Sequence, residues 1–187
     1  AGDLSWAMSM ESALSDLAML GSLPGRKILV RGNHDFWWST VTKMTNMTHG
    51  AFEFIHNSAI QVGNVALAGT RGWISETSKK FTETDRAIIL REEGRMERSL
   101  ELAQQMKVDK IIAVLHYPPF DESRTPSHMM DIIKKHGASE CIYGHIHGAP
   151  NFVNLPEELE GIPLHLTSAD YLDFKPYFIC NLEEPHA

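Results

Sequence analysis

Three short apolar runs break off abruptly into polar clusters bounded by glycine or proline, and this alternation constrains the fold more than any other feature of the chain. Lys27 to Val30 stops at Gly32-Asn33-His34-Asp35, Ile111 to Leu115 at His116-Tyr117-Pro118-Pro119, and Glu140 to Tyr143 at Gly144-His145-Ile146-His147. Runs this short, bounded by residues that end a ladder, read as buried strands. The two prolines after His116 lack the backbone donors a continuing strand needs. Each strand therefore delivers a histidine or asparagine into a loop. In open α/β sheets that is where ligands bind, beyond the carboxyl ends of the strands.

The rest of the chain fits an α/β pattern. Trp6 to Leu20 carries Ala7, Met10, Leu14, Leu17 and Ala18 at helical spacing, with Gly21 and Pro24 at its exit. Phe52 to Ile55, Ala59 to Val62 and Val65 to Ala68 read as strands, the last two joined by a tight turn at Gly63-Asn64. Thr82 to Met106 reads as a helix with Ile89, Met96, Leu100 and Ala103 on its buried face. Its Arg91, Glu92, Arg95 and Arg98 are expected on a solvated face. Thr125-Pro126 opens a helix that reaches His136 and stops at Gly137, while Pro163 to Thr167 and Tyr177 to Cys180 supply final strands. No repeat or low-complexity linker divides the chain, so residues 1–187 are expected to form one domain.

Composition narrows the function. A formal net charge of −7 disfavours a broad nucleic-acid surface, although a local cationic site such as a metal pair escapes that count. Cys141 and Cys180 are too few and too far apart for a disulfide framework or a thiolate zinc site, and read as free thiols in a reducing, cytoplasmic setting. No run approaches the roughly 20 apolar residues of a spanning helix, and no cleavable leader opens the chain. The chain enters Gly2-Asp3 directly from Ala1, which reads as a domain cut inside its N-terminal part.

Asp3, Asn33, His116, His145 and His147 offer the mixed oxygen and imidazole donors that divalent metals take, with a carboxylate able to bridge two ions. In an extended segment His145 and His147 project to one side, and Gly144 and Gly148 allow close backbone approach. The spacing alone does not separate such a pair from surface loop histidines. His34 beside Asp35 has the make-up of a general acid with a carboxylate to orient it, or of an ordinary Asn-His-Asp turn. Gly2-Asp3 taken alone is a turn as readily as a ligand. Hydrolysis of a phosphoester needs a nucleophile from water, neutralised phosphoryl oxygens and a proton for the leaving oxygen. Two metals about 3.5 to 4 Å apart supply the first two. Arg71 and Arg124 lie in loops where a guanidinium can hold a phosphate, or simply face solvent. Trp37 and Trp38 read as core or pocket wall, and His49, His56, His128, His136, His165 and His186 as surface or strand residues.

Gly2-Asp3, Gly32-Asn33-His34-Asp35, His116 and Gly144-His145-Ile146-His147, in that order, resemble the calcineurin-like metallophosphoesterase superfamily. The resemblance implies a four-layer αββα sandwich, here without its first strand, and two divalent ions such as manganese, iron or zinc. It implies that Asp3 bridges the ions, that Asn33, His116 and His145 bind one, and that His147 binds the other. His34 would be the catalytic histidine outside the metal shell and Asp35 its partner. The family pattern begins with an Asp-x-His pair that nothing before Ala1 supplies, so one site is expected complete and the second incomplete. The implied activity is metal-dependent hydrolysis of a phosphomonoester or phosphodiester. Alternatives are a non-catalytic metal-binding or interaction module, and a nuclease of the same superfamily.

Overall fold

The computed structural model describes residues 1–183, so His186 lies outside the described residues. Strands β1 (Ile28–Val30) and β2 (Glu53–Ile55) pair in parallel, joined through helix α2 (Val41–Met47). A second sheet has the order β3-β4-β5-β6-β8-β7, from β3 (Ala59–Val62), β4 (Val65–Thr70), β5 (Lys110–Leu115), β6 (Glu140–Tyr143), β7 (Glu158–Leu159) and β8 (Ile162–Leu166). Its four inner strands β4, β5, β6 and β8 run parallel, and antiparallel β3 and β7 close its edges. The β3–β4 connection is the expected two-residue turn, with Gly63 at φ 58 where a Cβ would be strained.

Two cores explain how the layers stack. Helix α1 (Met10–Gly21) contributes Met10, Ala13 and Leu17 to one core, closed by Trp37, Trp38, Met44, Phe52 and Phe54 over the small sheet. Helices α3 (Glu83–Gln104) and α4 (His128–Lys135) bury Met96, Leu100, Met130 and Ile133 against the large sheet. Between the sheets lies an apolar cavity of about 220 Å³, lined from one side by Leu29, Val30 and Ile55 and from the other by Leu67, Val114 and Ile142. Helices, sheet, sheet and helices thus follow in the αββα order. Among the described residues no helix is long and apolar enough to cross a membrane.

Several local expectations need correction. Helix α1 begins at Met10 rather than near Trp6, because Ser9 and Ser12 cap each other's backbone reciprocally. Trp6 is left outside and 70% exposed. The segment at Thr125-Pro126 is not yet helical: the Asp121 carboxylate accepts the amides of Ser123 and Thr125, and Pro126 bridges back to Phe120. Helix α4 therefore starts at His128, after Ser127. Tyr177 to Cys180 forms no strand, and Tyr177 and Phe178 are exposed. Glu92 is not on the solvated face of α3 but fully buried.

Candidate metal centre

Two glycines let the first ligand loops meet. A Cβ on Gly32 would lie 2.1 Å from both the amide nitrogen and Oδ1 of Asp3, and one on Gly2 would lie 2.6 Å from Nδ1 of His116. Only a residue without a side chain permits that approach. Asp3 and His145 are themselves held at φ 56 and φ 68, a left-handed conformation that costs of order 1–3 kcal/mol for a non-glycine residue and collects at functional sites.

Four candidate ligand atoms converge there from four loops. Nε2 of His116 lies 2.6 Å from Oδ1 of Asn33, 3.1 Å from Nδ1 of His145 and 3.4 Å from Oδ2 of Asp3, and Nδ1 of His145 lies 3.0 Å from the Asn33 oxygen. Nδ1 of His116 faces the carbonyl of Ala1 at 2.8 Å. A carbonyl can only accept, so Nδ1 carries the proton and a neutral ring presents a lone pair at Nε2. Burial pushes the His116 pKa down to about 4, which keeps the ring neutral. Burial and then the neighbouring His116 lower that of His145 to about 4 as well. With the Asn33 oxygen turned inward, acceptor atoms outnumber the protons that could lie between them. A divalent cation is what such a set fits: at bond lengths of about 2.1 Å, neighbouring ligand atoms lie roughly 3.0–3.4 Å apart in octahedral or tetrahedral shells. Among the described residues, Asp3, His116 and His145 form the group of histidine and carboxylate side chains able to hold an ion.

His34 stands beside this group rather than in it. Its backbone N–H donates to Oδ1 of Asp3 at 2.8 Å, which fixes the loop, while its ring stacks on Trp6 at 4.2 Å and meets the edge of Phe36 at 6.1 Å. No protein hydrogen bond engages the ring among the described residues. Asp35, expected as its partner, is turned away from it. The buried Asp35 carboxylate accepts from the amides of Asp3, Leu4, Ser5 and Gly32 and from Nε1 of Trp37, at 2.7 to 3.3 Å. It ties the Asp3 loop to the Asn33 loop and thereby positions two of the four converging groups.

His147 is not brought into the cluster. It is exposed, and its Nδ1 meets Oδ1 of Asp170 at 2.8 Å, while Oδ2 of Asp170 accepts the amide of Gly148 at 2.8 Å. Sequence reasoning missed Asp170, since a lone Ala-Asp-Tyr in a loop carries no signal of its own. A carboxylate on one imidazole nitrogen is the arrangement that orients metal-binding histidines, leaving Nε2 as the ligand atom. The Arg71 guanidinium lies over the Trp73 ring at 4.4 Å, beside the centre but not within it. A cavity of about 530 Å³ opens from His145 and His147 along Tyr117 and Trp73, and reaches Lys80 and Arg124. It sets an aromatic wall next to the candidate ligand loops. Trp37 and Trp38 are buried, as expected, with their indole nitrogens bonded to Asp35 and His56.

The model of one protein family, calcineurin-like phosphoesterase, matches residues 1–149, a span that includes Asp3, Asn33, His34, His116, His145 and His147. Neither the curated proteins nor the solved structures contain a match to the chain.

Proposed function

The chain belongs to the calcineurin-like phosphoesterase family, and from that premise we propose that it hydrolyses a phosphomonoester or phosphodiester at the junction of the four loops. Asp3, Asn33, His116 and His145 would hold one divalent ion, and Asp3 with Nε2 of His147 a second. Manganese, iron and zinc all suit these donors. When bound, such ions supply neutralisation of the phosphoryl oxygens and a water acidic enough to attack phosphorus near neutral pH.

The protein's own residues do the rest. His34 is close to the ligand loops and, among the described residues, has no hydrogen-bond partner on its ring, which suits it to give a proton to the leaving oxygen. The Trp6 stack fixes its plane. Arg71 is assigned to the anionic substrate, and the Tyr117 and Trp73 wall to the leaving group. Asp35 acts by holding the Asp3 and Asn33 loops in register. A cytoplasmic setting is part of the proposal, supported by the unpaired Cys141 and Cys180.

The single observation that carries this reading is the convergence of Asp3, Asn33, His116 and His145. The test is manganese-dependent cleavage of an aryl phosphate and of an aryl phosphodiester, absent in Asp3→Ala and His34→Ala proteins. Full activity in excess chelator would sink the proposal. Single-stranded DNA assayed alongside distinguishes a small-molecule esterase from a nuclease.

A further inference from the structure

The large sheet's helix α3 buries a charge problem next to the metal centre. Glu92 is fully buried, with Nη1 of Arg95 at 2.7 Å, Nη2 of Arg71 at 3.6 Å and Nε of Arg91 at 3.8 Å from one of its oxygens. Its other oxygen accepts the Thr70 hydroxyl. Arg31, which directly precedes Gly32-Asn33, lies close enough for its charge to oppose that of Arg71. Three guanidiniums thus share one carboxylate, with a fourth nearby.

Among the described residues, Arg31 and Arg71 are the two of these four whose buried Nε has no acceptor. Each guanidinium has five N–H donors. Leaving such donors unmade is costly when they are charged. Both side chains keep some solvent access; that of Arg71 is 12% exposed. The Arg71 carbonyl accepts the amides of His116 and Tyr117 at 3.1 and 2.9 Å. Its guanidinium rests on Trp73, whose ring lies 5.2 Å from that of Tyr117, which lies 4.1 Å from that of His145. Arg31 thus leads directly into the Asn33 loop after β1, and Arg71, directly after β4, is bonded through its carbonyl to the His116 loop.

We propose that Arg31 and Arg71 form an anion subsite beside the metal centre that takes a second phosphate or carboxylate group carried by the substrate. The substrate class is then a phosphoester with two anionic groups. This rests on the hydrolytic function proposed above. Bidentate pairing with such a group satisfies the donors and offsets the excess positive charge that Glu92 leaves.

The test has two arms, both on the full chain. In the first, inorganic phosphate is titrated calorimetrically into the protein in excess chelator. Binding is expected in the wild type, and in an Arg31→Gln/Arg71→Gln protein it weakens by roughly tenfold or more. In the second, an aryl phosphate is compared with the same compound bearing a second phosphate on its ring, under manganese. The wild type is expected to show a KM about tenfold lower for the doubly charged compound, with that ratio falling towards unity in Arg31→Gln. Arg31→Lys keeps the charge without the fork and should retain part of the preference. Thermal unfolding midpoints identify any variant that fails to fold, in which case Arg31→Lys and the wild-type measurements decide. No phosphate binding in chelator, or equal KM values for both compounds in the wild type, overturns the subsite. Phosphate that binds in chelator but raises KM equally for both compounds also overturns it, since the site then takes free phosphate. If neither compound is cleaved with any divalent ion while chelator-resistant binding is lost in the double variant, the hydrolytic reading fails and the anion site stands.

Discussion

Replacing Asp35 by asparagine tests whether this side chain positions the ligand loops or serves His34. Oδ2 of Asp35 accepts the amides of Gly32 at 2.7 Å and Asp3 at 2.9 Å; Oδ1 accepts those of Leu4 and Ser5 and the Trp37 indole. Asparagine keeps one oxygen and turns the other into an NH₂ group that faces donors. At least the two bonds to Oδ2 are then lost, or the three to Oδ1. Hydrogen bonds to a charged acceptor contribute about 1.5–3 kcal/mol each, so the loss is about 3–6 kcal/mol. Against a typical total stability of roughly 5–15 kcal/mol, this is a severe effect. Urea unfolding followed by circular dichroism should show a fall of about 3 kcal/mol or more, with loss of divalent-ion affinity as the Asp3 loop detaches. A change below about 1 kcal/mol, accompanied by a shifted pH–rate profile, would refute the positioning argument and return Asp35 to His34.

Gly32→Ala places a Cβ 2.1 Å from Asp3, so it should abolish manganese binding by calorimetry, whereas Gly94→Ala, whose Cβ meets nothing within 4 Å, should not. The metal-free chain should lose stability as pH falls. His116 and His145 have folded-state pKa values of about 4, below the ordinary 6.5, so the unfolded state binds more protons between those limits. Stability is therefore full above pH about 6.5 and declines towards about 4. Urea midpoints in chelator that stay flat over this window would contradict the burial of two neutral rings.

Much of the architecture was legible because hydrophobic period and chain breakers coincide. Ala59 to Val62 and Glu140 to Tyr143 form strands with the expected bounds, and Ile89, Met96, Leu100 and Ala103 are buried on α3. The misreadings share a cause: tertiary partners that local pattern does not encode. Trp6 continues a helical stripe, but Ser9 caps the helix after it and its ring goes to His34. Glu92 looks like one charge among many until Arg71, Arg95 and Thr70 close over it. Tyr177 to Cys180 has strand composition, yet it pairs with no described strand. In the centre, residue types pointed to the candidate ligands, because histidine and asparagine at several strand ends in turn supply the donors a divalent ion takes. The orientation of Asp35 and the pairing of His147 with Asp170 depend on loops far apart in sequence, and no spacing rule reaches them.

The central claim is that Asp3, Asn33, His116 and His145 form the shell of a divalent ion. X-ray diffraction from crystals of the chain grown with manganese, collected at the manganese absorption edge, tests it directly. The account predicts an anomalous peak within about 2.3 Å of Oδ2 of Asp3, Oδ1 of Asn33, Nε2 of His116 and Nδ1 of His145. A fully loaded protein with its anomalous density elsewhere, and none among these four atoms, would contradict it.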